Sequence, residues 1–249
     1  MTIDPIHQFN IEPLFTLGHI GKYPIAITNS TVYMFVAVGI IGLLTLATGR
    51  QLIPGRLQSV AEISYEFVAS MIRSTAGPEG MKFFPLIFCL FMFICVSNLV
   101  GIIPYTFTIS SHIIVTAALA LLVFFLVLIY GIYKNGLKFF SIFVPKGVPV
   151  YIVPLVMFIE ILSFLLRPVS HSVRLFANML AGHIALKVFA GFVAMLGVSL
   201  GALGWIGGIA PLALTVALTA LELLVAFLQA YVFAILTCIY LNDALHPGH

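Results

Sequence analysis

Arg167-Pro-Val-Ser-His171-Ser-Val-Arg174-Leu-Phe-Ala-Asn178-Met-Leu-Ala-Gly-His183 places two arginines, two histidines and an asparagine inside an otherwise apolar run. An arginine near a bilayer centre costs about 2.5–3.5 kcal/mol on insertion scales, so it is kept there for a function. Arginine does not release its proton and so cannot relay one, but it can act as a fixed positive barrier. Near a carboxyl group it favours the ionised form. Histidine and glutamate exchange protons with water once burial has tuned them. Glu160 upstream, and Glu222 and Gln229 in the last apolar run, extend the set. Asparagine, glutamine and serine can order water or hold the arginine.

At about 100° per residue, Glu160, Arg167, His171, Arg174 and Asn178 share a helical stripe about 60° wide, with His183 about 140° around from Glu160. Thr215, Glu222, Gln229 and Tyr240 also share one face. Two apolar helices, each with one polar edge, would make a wet seam suited to an ion or proton path. Plainer roles stand beside this one. Arg174 could pair with a carboxylate of the same chain, and Glu160 and Glu222 could be protonated or arginine-paired structural groups. His171 and His183 could be hydrogen-bonded interior histidines, and Arg167 and Lys187 could reach to an interface.

The elements that carry these residues must span a membrane. The chain has 249 residues, of which 62% are hydrophobic and only 8% charged, with mean hydropathy +1.19. A soluble domain would carry about 25% charged residues. The apolar runs are continuous rather than alternating, which predicts an all-α, multi-spanning membrane protein and not a β-barrel. The net charge of +3 comes from scattered residues and gives no nucleic-acid signal. Cys89, Cys95 and Cys238 lie in apolar runs without a Cys-x-x-Cys pair, so no disulfide framework or metal site is expected. Nothing at the N-terminus reads as a cleaved signal peptide.

The chain reads as a single membrane domain over 1–249. Residues 1–29 form a mixed, polar extramembrane arm, and 30–148 hold three spans: Thr31 to Thr48, Phe83 to Ile103 and Ile113 to Tyr133. Leu57, Val60, Ile63, Phe67, Val68, Met71 and Ile72 repeat at helical spacing and predict an amphipathic helix over 56–75, on the membrane surface or against another subunit. Asn98 reads as glue between helices, and 105–112 as a short uncharged loop. From Pro149 to about Leu200 the apolar character persists; one helix of that length would measure about 75 Å against a hydrocarbon core of ~30 Å. Two spans without a polar loop, or one strongly tilted helix, would satisfy this. A Gly-rich turn around Gly197, Gly201, Gly204, Gly207 and Gly208 precedes the last run, Leu212 to Leu241, and 242–249 form a polar tail. Basic residues collect in 49–82 and 134–148 and are missing from 105–112, which puts the basic loops in the cytoplasm and the N-terminus on the opposite side.

Pro168-Val-Ser with Val173-Arg174-Leu-Phe-Ala-Asn178-Met-Leu-Ala-Gly182, and Leu228-Gln229-Ala-Tyr-Val-Phe-Ala-Ile-Leu-Thr, resemble the two hallmark helices of the a-subunits of rotary ATP synthases. Ser97-Asn98-Leu-Val-Gly-Ile-Ile-Pro104 and the order of spans fit as well, so the resemblance covers nearly the whole chain. It implies about five membrane-crossing helices plus one surface helix, with 149–241 folded as two long, tilted helices. It also implies a stator of the proton channel, working against the c-ring and held by peripheral-stalk b-type subunits. Arg174 would be the essential arginine facing the ring carboxylate, with Asn178 and Gln229 as neighbours. Glu222 and His183 would line the half-channel open to the N-terminal side, and Glu160 matches an acidic position of the same helix pair. Many members carry glutamate where this chain has His183 and histidine where it has Glu222; the exchanged arrangement also occurs in other members. His171 matches no family-wide requirement. The expected location is a bacterial inner membrane, with the C-terminus cytoplasmic. No cofactor and no metal are expected.

Two other classes compete. Haem binding through His112, His171 or His183 would require histidines paired across helices, and the last run has none. An autonomous proton or cation antiporter would work without a ring. No Gly-x-x-x-x-Gly-Lys-Ser/Thr motif is present, so no nucleotide site is expected.

Overall fold

The computed structural model describes residues 9–20, 23–46, 55–103, 106–144, 149, 151–201 and 207–245. Pro104, Gly204, the basic residues Arg50 and Lys146 and the end of the polar tail lie outside them. The elements run β1 (Pro13–Ile20), β2 (Tyr23–Thr28), α1 (Asn29–Leu46), α2 (Arg56–Thr75), α3 (Gly77–Gly80), α4 (Phe84–Ile102), α5 (Ile113–Asn135), α6 (Val153–Leu200) and α7 (Ile209–Leu245). Short 3₁₀ segments occupy 81–83, 109–111 and 136–143. Among the described residues, five helical stretches are long and apolar enough to cross a membrane.

The N-terminal arm is more ordered than its composition suggests. β1 and β2 pair antiparallel, with Pro13 opposite Thr28, Ile20 opposite Tyr23 and two register shifts along β1. Asn29 joins this hairpin to α1: its Oδ1 accepts the Ser30 N–H at 2.8 Å, and its Nδ2 donates to the Asn10 carbonyl at 3.0 Å. A side-chain oxygen on the first amides supplies partners that the helix itself lacks.

The surface helix predicted over 56–75 forms as α2, and its apolar side divides along its length. Val68, Met71 and Ile72 are buried, whereas Leu57, Val60 and Ile63 are exposed. One half therefore packs on protein, and the other half keeps an apolar face exposed, as either a membrane surface or another subunit would require. In α5 the buried residues are Thr116, Ala120, Val123, Val127 and Gly131, a stripe of small side chains at helical spacing. Small residues let helices approach closely where lipid removes the usual hydrophobic drive.

The question left open for 149–200 has one answer: α6 is a single helix of 48 residues with Pro168 inside it. At 1.5 Å per residue it is about 72 Å long, and the 37 residues of α7 make about 56 Å. Both exceed a hydrocarbon core of ~30 Å, so neither can stand upright wholly within it. Pro168 removes one intrahelical donor. The hydroxyls of Ser170 and Ser172 meanwhile turn back to the carbonyls of Arg167 and Val169.

The chain packs as two compact units, each assembled from separated segments. The first comprises 1–42, 93–112 and 175–229; the second comprises 43–92, 113–174 and 230–249. In the first, fully buried Asn98 donates to the Ala226 carbonyl at 3.2 Å and accepts from Ser110 Oγ at 2.5 Å, which ties α4, α7 and the 109–111 turn together. In the second, Phe164 is the hub of an aromatic cluster with Phe124, Phe139 and Phe143, at centroid distances of 5.1, 6.4 and 5.5 Å. Asn135 closes that unit by donating to the Ala244 carbonyl at 2.6 Å.

Candidate functional site

In the first unit, α6 and α7 bring His183 and Glu222 together. His183 Nδ1 lies 3.4 Å from Glu222 Oε1, and both side chains are buried. The approach depends on Gly182. A Cβ at that position would stand 2.9 Å from Glu222 Oε1, inside ordinary contact distance, so the carboxylate occupies space that any side chain would claim. On its other edge, His183 Nε2 lies 2.9 Å from the Thr108 hydroxyl. The Phe9 ring sits 6.2 Å from the imidazole, and the Lys187 ammonium lies 5.8 Å from the centroid of that same ring. His183, which lay off the polar stripe, is thus the α6 residue that meets Glu222. Gln229 is buried in this unit and Asn178 is exposed.

In the second unit, Arg167 pairs with Asp243 at 3.0 Å, and its guanidinium lies 4.7 Å from the Tyr240 ring and 5.4 Å from Phe164. A polar tip held between a carboxylate and two aromatic faces is anchored. Reaching to an interface alone would leave it free. His171 is buried edge-on against Phe233, with centroids 3.9 Å apart. Neither ring nitrogen has a hydrogen bond with good geometry, and the Phe233 backbone is among the polar groups beside the ring. Glu160 is half-buried.

Arg174 differs from all of these. It is exposed in the middle of α6, beside the exposed Val173, and among the described residues no carboxylate comes within salt-bridge distance of it. The same-chain partner considered above is not found there. A cation bare on an apolar, membrane-crossing helix is costly until a counter-charge reaches it.

His112, one of the histidines weighed for haem, stacks on Phe107 at 4.8 Å, and burial lowers its pKa from the usual imidazole range. It packs as an aromatic ring. Among the described residues no group of His, Cys, Asp and Glu could hold a metal ion.

Thr108, Ser110 and Asp243 belong to these clusters and were not singled out by residue type and spacing, whereas Tyr240 was placed on the polar edge of the last run. The signal for the first two lay in the loop itself, where Thr106, Thr108, Ser110 and Ser111 crowd hydroxyls into an uncharged turn.

Residues 31–242 match the family described as ATP synthase A chain. The chain belongs to that family. Relatives cover it from end to end. ATP synthase subunit a of Bradyrhizobium diazoefficiens is 86% identical over 249 residues, the whole of both chains. ATP synthase subunit a of Rhodopseudomonas palustris strain TIE-1 is 76% identical over 249 residues, again the whole of both. That of Nitrobacter winogradskyi is 74% identical over 247 residues, 99% of this chain and all of the relative. The two long helices α6 and α7 lie almost wholly inside the A-chain match, and the N-terminal hairpin lies outside it.

Proposed function

We propose that this chain is the stator of the ATP synthase proton channel and that Arg174 is its fixed charge barrier, facing the ion-carrying carboxylate of a rotating c-ring. The exposure of Arg174, unpaired among the described residues, carries this reading. A ring carboxylate arriving opposite Arg174 is favoured in its ionised form and gives up its proton. Arginine has no proton to release, so nothing leaks through the short path between the two half-channels. The loaded, neutral carboxylate travels the long way round through lipid.

Glu222 and His183 serve the half-channel on the N-terminal side. Their facing atoms, 3.4 Å apart, can pass a proton with a small closing motion. Gln229 and Asn178 hold water or the arginine beside the barrier, and Glu160 and His171 belong to the release side. The pair spanning 149–241 is the ion path of one membrane domain, braced by b-type subunits of the peripheral stalk. Each proton crossing yields about 2.3 kcal/mol per 100 mV. The chain performs no bond chemistry itself; ATP is made in the catalytic head. It sits in a bacterial inner membrane with the N-terminus outside and the C-terminus cytoplasmic, which suits five crossings and the charge bias of its loops. Nothing in the comparisons supports an autonomous antiporter.

The test is ATP-driven acidification of inverted vesicles carrying the whole complex, wild type against Arg174→Ala, at equal amounts of this chain in the membrane. Acidification should vanish with the complex assembled. A wild-type rate would remove Arg174 from the barrier role.

A further inference from the structure

We propose that Thr108 is a positioning residue of the proton path: its hydroxyl holds Nε2 of His183 and so turns Nδ1 toward Glu222. The inference rests on the reading of His183 and Glu222 as a half-channel pair, and adds to it the group that sets which imidazole nitrogen is open to a proton.

Three side chains form a buried line. Thr108 is 0% exposed, His183 6% and Glu222 5%. Thr108 Oγ1 lies 2.9 Å from His183 Nε2, and His183 Nδ1 lies 3.4 Å from Glu222 Oε1. Beyond Thr108 stands the Gly101 carbonyl, 3.4 Å from the same hydroxyl. A backbone carbonyl only accepts. With its hydrogen directed to that carbonyl, Thr108 Oγ1 accepts from Nε2–H of His183. Nδ1 then presents a lone pair to Glu222 and can take the proton that Glu222 carries.

The same carbonyl argues against a relay. A hydroxyl passes a proton on only if it receives another from its far side, and the Gly101 carbonyl has none to give. Thr108 therefore acts through His183.

The threonine is itself held firmly. A Cβ at Gly101 would stand 2.8 Å from Thr108 Cγ2 and 3.0 Å from its Oγ1, so the approach to α4 requires glycine. Ser111 Oγ donates to the Thr108 carbonyl at 2.6 Å, and Ser110 is bonded to Asn98. The remaining charge acting on the His183 ring is Lys187, one turn further along α6, and the Phe9 ring packs beside both. Both stay unchanged in a Thr108 variant, so a change in the pH profile reports the threonine–histidine contact.

Thr108→Val keeps the shape and removes the hydroxyl; Thr108→Ser restores it. ATP-driven acidification of inverted vesicles containing the whole complex is measured from acid to alkaline pH, at equal levels of the chain. Thr108→Val should slow pumping by about fivefold, the worth of one net hydrogen bond. Its profile should also move toward acid, because the acceptor of Nε2–H holds the imidazolium more strongly than the neutral ring. Thr108→Ser should recover both rate and profile. A valine variant with the wild-type profile, or a serine variant as slow as valine, overturns the proposal. Glu222→Gln and His183→Ala run alongside: if both pump like wild type, the half-channel reading fails; if they are impaired and Thr108→Val is not, only the positioning role falls.

Discussion

Glu222 lies buried with both carboxylate oxygens short of a well-aligned hydrogen bond, and its nearest titratable neighbour is a histidine rather than a cation. Such a carboxyl is costly to keep charged and is poised to trade its proton instead. Glu222→Gln preserves the shape and removes the exchange. Pumping should fall on the order of 10²-fold, the usual worth of an acid–base group, as read by acidification of inverted vesicles. Gly182→Ala is a subtler probe. Its methyl group would press on Oε1 from 2.9 Å and push the carboxylate away from His183. The rate should drop with the chain still present at normal levels, and a wild-type rate would show that the carboxylate relocates without loss.

The helices differ in how far their chemistry can be read from residue order. The extents of α2 and α5 were legible because amphipathic spacing and continuous apolar runs set them. The β-hairpin was not, because its alternation is interrupted by Gly18 and Pro24 and its register shifts twice. Whether 149–200 holds one helix or two was also undecided, since Pro168 permits both a break and a tolerated kink. Arg174, Glu222 and His183 stood out as rare polar types in apolar sequence. Thr108 and Asp243 did not, because their roles come from distant segments that meet them only after folding. At this scale the Arg167–Asp243 pair joins α6 to the end of α7. Asp243→Asn should cost about 1 kcal/mol, as half-exposed pairs do. Arg167→Ala should cost more, since it also loses the contact with Tyr240. Thermal unfolding of the detergent-solubilised complex orders the two, and an equal effect would confine the stabilisation to the ion pair.

At the scale of the whole molecule, five helices long and apolar enough to cross, with basic residues collected in 49–82 and 134–148, make the proposed orientation testable. A cysteine placed at Leu14 in the hairpin should react with a membrane-impermeant maleimide in intact cells. One at Lys138 should react only in inverted vesicles, both in a background lacking Cys89, Cys95 and Cys238. Reaction of Lys138→Cys in intact cells would reverse the topology. The exposed apolar side chains along α6 and α7, such as Leu162, Leu165, Val216 and Leu223, are ordinary for a surface that meets lipid or a partner's helices.

The bare guanidinium of Arg174 bears also on how the machine is put together. On the role proposed for Arg174, the newly inserted chain carries an uncompensated charge until the ring carboxylate arrives, at about 2.5–3.5 kcal/mol on insertion scales. On that reading the unassembled subunit is the strained species and docking would relieve it, so biogenesis would be driven toward meeting the ring. A solitary copy would then differ from an assembled stator by one uncompensated charge, and its lifetime in the membrane should depend on the ring.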